Sequence, residues 1–183
     1  MMLKPFLVGT AIAVAIGCRE QDAHKKVFQA PASLQLGLGK VYEGYLIVQG
    51  GLASGNPVLS QNALSMMHGS LHEISTDGLD SSGKAYWDSG DGRIMEVLHN
   101  PDLATGGLPA VRKAIMQFSP LLLDRMESFG IMVQDPIFLF RCPEAGADTG
   151  AIWFQRDRKA SNPYQGDSLR ACGVVVREIG IPR

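Results

Sequence analysis

The sequence predicts an α+β protein: an antiparallel four-helix bundle followed by a small antiparallel β-sheet or ribbon. Three observations carry this expectation. Between residues 38 and 129, apolar side chains recur at helical spacing in four segments. After Gly130 the period changes, to short runs rich in β-branched and aromatic residues bounded by Pro, Gly or Asp. And 183 residues, 45% apolar and 19% charged, suit a single globular domain with its own core.

The N-terminus stands apart from that domain. Met1-Met2-Leu3-Lys4 carries one positive charge, and an apolar stretch of about 13 residues follows, short of the roughly 20 that a spanning helix needs. This is the pattern of an export signal, so residues 1–18 are left out of the fold. Ala15-Ile16-Gly17-Cys18 resembles the box of bacterial lipoprotein precursors, in which the cysteine, here Cys18, is lipidated and becomes the new N-terminus. The alternative is cleavage after Ala13-Val14-Ala15, which leaves Cys18 as a thiol. Both routes place the mature chain outside the cytoplasm, in the cell envelope, where disulfides persist, and the lipidated form touches membrane only through its anchor. Residues 19–36 are polar, with Ala-Pro-Ala near their end, and read as a tether. Residues 37–183 are the domain, helical over 37–130 and β-rich over 131–180.

The first helix is expected over 38–53, where Leu38, Val41, Tyr45, Val48 and Leu52 share a face. Ser54-Gly55-Asn56-Pro57 stops it. The second runs over 57–75 with Pro57 in its first turn and Leu59, Ala63, Met66, Met67, Leu71 and Ile74 in one arc. So short a turn makes the two antiparallel. A third is expected over 84–100, with Trp87, Ile94 and Leu98 on one side. Gly90 and Gly92 interrupt it, and Asn100-Pro101 ends it. The fourth, 108–129, has the most sustained stripe: Val111, Ile115, Phe118, Leu122, Met126 and Phe129. Pro120 lies inside it and removes one backbone bond. Strands are expected at 131–133, 137–140, 151–154 and 174–176.

The net charge of −1 offers no basic field, so nucleic acid is not an expected partner. No G-x-S-x-G or C-x-x-C occurs, and a cysteine nucleophile at Cys142 needs a base that only an approach of His99 supplies. The expected protein is not an enzyme. Asp77, Asp80, Asp88 and Asp91 depart from the spacing of a calcium loop. Two metal readings remain. His68 and His72, four apart on the second helix, point the same way and can chelate an ion, or are two surface histidines. Cys142 and Cys172 form either a disulfide or a soft-metal site, since thiolates select Cu(I) and Zn. The methionines of the helices and strands read as core filler. Asn162-Pro163-Tyr164-Gln165-Gly166 is a turn by its chemistry, returning the chain toward Cys142.

The order Cys142-Pro143-Glu144-Ala145, Gly150-Ala151-Ile152-Trp153, Asn162-Pro163-Tyr164-Gln165-Gly166 and Cys172-Gly173 resembles an uncharacterised bacterial domain family. That family occurs alone in exported proteins and at the C-terminus of periplasmic adaptor subunits of copper/silver efflux systems. The resemblance extends over 41–179, with Tyr42 through Leu52 similar to its first helix and Arg112 with Phe118-Ser119 similar to its last. The family's motifs usually read C-P-M and N-P-Y-x-G-x-x-M-L-x-C-G. Here Glu144 and Leu169 replace the two methionines, while the cysteines, Trp153, Asn162, Pro163, Tyr164, Gly166 and Gly173 are kept. The resemblance implies an accessory protein of metal homeostasis, with a soft metal such as copper on Cys142 and Cys172 and an efflux or other envelope protein as partner; Glu144, which stands where the family has methionine, is a candidate third ligand. The alternative is a structural or protein-interaction module with a Cys142–Cys172 disulfide and no metal.

Overall fold

The structure is a computed structural model that describes residues 25–146, 150–164 and 171–179. Its first helix, α1 (Ala32–Ala53), carries glycine at 37, 44 and 51, every seventh residue. Seven residues are close to two turns, so the three share one face. Helix α2 (Pro57–His72) lies against that face. A Cβ on Gly37 would stand 2.9 Å from Ile74 Cγ1, one on Gly44 3.0 Å from Met67 Cβ, and one on Gly51 2.5 Å from Ser60 Oγ. The partners descend as the glycines ascend, so the helices run antiparallel in close contact.

That contact decides which face α2 buries. Ser60, Ala63, Leu64, Met67 and Leu71 turn inward, whereas Met66 remains 63% exposed and Leu59 41%. The apolar arc expected from the sequence therefore shifts away from Leu59 and Met66, toward the line of residues that meets the glycines. Asn56 caps α2 by accepting the Leu59 N–H at 3.0 Å.

Helix α1 begins six residues before the expected start, directly after Pro31. Leu34 and Leu38, four apart, are both fully buried, and they draw this turn into the core. The stretch before it is packed too: the Phe28 N–H donates to Ser128 O at 2.8 Å, and its ring stacks on Phe129 at 5.3 Å. Residues 25–36 thus belong to the domain rather than to the tether. Cys18 and the export pattern of residues 1–18 lie outside the described residues.

Helix α3 (Ser81–Leu98) is capped by Asp80, which accepts the Gly83 N–H at 2.7 Å. Gly90 does not interrupt it. A Cβ there would overlap the Arg125 guanidinium, so the glycine is the seat of that side chain. Arg125 is 3% exposed, donates to Tyr86 O at 3.2 Å and lies 5.2 Å over the Tyr86 ring. One turn of helix, α4 (Asp102–Thr105), follows Asn100-Pro101, and α5 (Gly107–Phe129) continues through Pro120. The expected stripe of α5 is buried from Val111 to Phe129.

The sheet has three antiparallel strands in the order β2-β1-β3: β1 (Ile137–Cys142), β2 (Ala151–Gln155) and β3 (Val174–Ile179). Residues 131–133, expected as a strand, are not one. The Met132 N–H donates to Gln35 O at 3.1 Å, and a Cβ on Gly39 would clash with the Met132 carbonyl. This segment lies along α1, so a helix takes the contacts that a sheet edge would need.

A chain of buried hydroxyls ties sheet to helices. Tyr45 Oη lies 2.8 Å from Ser119 Oγ, which lies 3.0 Å from Tyr164 Oη. Tyr164 donates to Ile152 O, and the Phe154 N–H donates to Tyr45 Oη at 3.4 Å. Tyr45 donates to Ser119 Oγ, Ser119 donates to Ile115 O at 2.7 Å and Tyr164 to Ile152 O, so every hydroxyl proton has an acceptor. Burial raises both phenols, Tyr45 to about 12 and Tyr164 well above its ordinary value, so they stay protonated as the chain requires.

The glycine line gives the first prediction. Gly44→Leu forces α1 and α2 apart and lowers stability by about 1–3 kcal/mol. Gly50→Ala, on the same helix with nothing within 4 Å of the new methyl, raises it by roughly 0.5–1 kcal/mol. Urea denaturation of the two variants beside the parent chain measures both.

Candidate metal centre

With the 60/67 line of α2 held inward by α1, the flank of the helix that carries Gln61, Ser65, His68 and His72 faces the end of α3. Asn100-Pro101 stops α3 there. His99 becomes its C-cap, with its N–H on Met95 O at 2.8 Å. The three imidazoles meet. His68 Nε2 lies 2.9 Å from His99 Nε2 and 3.1 Å from His72 Nε2. One ligand nitrogen from each of the three rings falls within 4.8 Å of the others.

The convergence has a chemical meaning. A neutral imidazole nitrogen carries either one proton or one lone pair. His68 Nε2 therefore cannot make two full hydrogen bonds, yet it touches two Nε2 atoms. A cation resolves this, because all three nitrogens then offer lone pairs to one centre. Metal–nitrogen bonds of about 2.0–2.1 Å in a tetrahedral site place the nitrogens about 3.3–3.4 Å apart. The observed 2.9 and 3.1 Å need only a few tenths of an ångström of opening. His68 is half-buried, and His72 and His99 are exposed, so the site is reached from solvent. Burial, then the neighbouring His72 and His99, hold the His68 imidazole below its usual range. That keeps it in the neutral form a metal needs.

The cysteines do something else. Cys142 ends β1, Cys172 precedes β3, and the structure joins them as a disulfide with Cα atoms 5.5 Å apart. Disulfide sulfurs offer no thiolate, so the expected copper ligands Cys142, Cys172 and Glu144 are not a soft-metal set in this form. Glu144 stands exposed in the turn after β1. The bridge spans a sequence separation of 30, which in the chain-entropy model stabilises by about 3–4 kcal/mol.

The other motif residues build the setting of that bridge. Asn162, fully buried, accepts the Tyr164 N–H at 2.8 Å and donates to Cys172 O at 3.1 Å. The Pro163 carbonyl accepts from Arg112 Nε at 3.1 Å. Trp153 is fully buried, stacks on Phe140 at 5.3 Å and donates to Gln155 Oε1 at 2.9 Å. Gly173, at φ 153°, passes over that ring, where a Cβ would lie 2.3 Å from Trp153 Cη2. Gly166 and Leu169 lie outside the described residues.

Compared with known proteins, the chain matches no family model, no curated protein and no solved structure. Among the described residues no helix is long and apolar enough to cross a membrane.

Two of the three clustered histidines are visible in the sequence as an i,i+4 pair. His99 is not, since it is 27 residues beyond His72 in a different helix. Its placement depends on where α3 stops and on the tilt of that helix against α2.

The triad predicts a pH dependence of the metal-free protein. His68 titrates below the ordinary value of about 6.5, so the unfolded chain binds more protons than the folded one as pH falls through that value. The stability His68 confers as a neutral ring is complete above pH 6.5 and is lost below it. The urea midpoint is expected to fall between pH 7.5 and 5.5, and His68→Gln to flatten that fall.

Proposed function

We propose that this protein is an exported accessory protein of the cell envelope that binds one divalent transition-metal ion through His68, His72 and His99. The observation that carries the proposal is the meeting of three Nε2 atoms drawn from two separate helices. Imidazole suits Zn, Cu, Ni and Fe, and among divalent ions copper binds such nitrogen sites most strongly. The metal class of the resembled efflux-associated family is thus kept, while the ligands change from sulfur to nitrogen. The four long helices read as an antiparallel bundle with the site near one end and the disulfide-closed sheet as its cap. Export rests on the pattern of residues 1–18 and agrees with the disulfide, which suits an oxidising compartment. Cys18 is then the site of lipidation, and an efflux subunit or another envelope protein is the expected partner.

The disulfide itself favours a second reading, a structural or interaction module without metal. One experiment separates the two. Dialysis of the mature domain against Zn²⁺ or Cu²⁺, followed by elemental analysis, is expected to give one ion per chain. His68→Ala and His99→Ala are each expected to weaken binding at least about tenfold, and Cys142→Ser/Cys172→Ser to leave the stoichiometry unchanged. Absence of binding by the parent chain, or full retention in the histidine variants, supports the second reading.

A further inference from the structure

Three histidines fill three positions of a tetrahedral ion and leave one. What lies beside the triad is a cleft of about 370 Å³ between α2 and the chain that runs from the end of α3 into α4. A volume near the lower end of the range for small-molecule sites suits a short ligand. His68 belongs to both the triad and the cleft wall. Leu98 and Asn100, the neighbours of His99 on each side, also line the cleft. Along α2 the lining runs through Gln61, Ser65 and His68, and His72 comes one turn later. The triad therefore closes one end of the cleft, with His72 on the far side.

The chemistry of the wall narrows the occupant. His68 is the one ionisable residue that lines it; the others are amides, a hydroxyl, apolar side chains and a proline. The wall carries no charge to hold an ion of either sign, so charge attraction must come from the metal. Asn100 Oδ1 accepts the Asp102 N–H at 2.9 Å, which engages the acceptor end of this amide and leaves Nδ2 as a donor. Gln61 Nε2 spends one proton on a 3.5 Å contact to Leu103 O and keeps a second.

We propose that the fourth position of the triad-bound metal opens into this cleft and takes a small carboxylate ligand. One carboxylate oxygen replaces water on the ion, and the other is offered the amide protons of Asn100 and Gln61. Leu64, Leu98 and Leu103 receive the short apolar body of the ligand. The inference rests on the metal-binding reading above, and it adds an exchangeable position with a defined ligand class.

Co²⁺ reports on this directly, because its visible absorption depends on coordination number and on ligand type. The mature domain loaded with Co²⁺ is titrated with acetate and then with butyrate. A saturable spectral change is expected for both, with butyrate the tighter. Ala104→Trp, placed on the exposed side of the cleft, is expected to weaken both at least about tenfold while Co²⁺ stoichiometry stays unchanged. Gln61→Leu is expected to weaken both and to keep their ratio. A Co²⁺ protein whose spectrum ignores carboxylates overturns the inference and leaves the metal site standing. An equal response in the parent chain and in Ala104→Trp shows that the open position faces solvent, which also overturns it. Failure to bind Co²⁺ at all overturns the metal reading and the inference together.

Discussion

The close contact of α1 with α2 is the constraint from which the rest follows. Gly37, Gly44 and Gly51 remove side chains along one line of α1, and Ile74, Met67 and Ser60 fill the space. A helix that packs this closely cannot rotate about its axis without driving Met67 or Ser60 into backbone. The rotation of α2 is therefore fixed, and with it the direction of the flank that carries His68 and His72. Had Leu59 and Met66 faced inward, as their hydrophobicity alone invites, both histidines would have turned away from α3. The chemistry of the candidate site is thus an outcome of packing on the other side of the same helix.

A second constraint holds the opposite part of the chain. The disulfide and the Asn162 clamp on Cys172 tie the parts of the sheet region to one another, and the hydroxyls around Ser119 fix the strands on α1 and α5. The Asn162 clamp and the hydroxyls each remove a buried polar group from the cost of desolvation by pairing it. The motif residues Trp153, Asn162, Tyr164 and Gly173 thereby gain a role that needs no metal. They form one packed unit in which a glycine passes over a tryptophan ring and an amide bridges two loops.

The sequence makes the helices legible because their apolar stripes are long, as from Val111 to Phe129. It makes strands β1, β2 and β3 legible because each is a short run between turn residues. Residues 131–133 look the same in composition, and only the tertiary approach of Gly39 to the Met132 carbonyl makes them a strap along a helix. Gly90 reads as a break in a helix until Arg125 is seen to occupy its missing side chain. The pair His68 and His72 is visible from spacing within one helix. His99 is invisible because no local period links it to them. Local patterns encode elements; the site arises between elements.

X-ray absorption at the zinc edge of the loaded mature domain distinguishes histidine from cysteine ligation. Three histidine ligands predict nitrogen or oxygen scatterers at about 2.0–2.1 Å with the outer-shell pattern of imidazole rings, and no sulfur shell at about 2.3 Å. A sulfur shell, or a spectrum without imidazole scattering, would contradict the account and return the metal to the cysteines or to the surface.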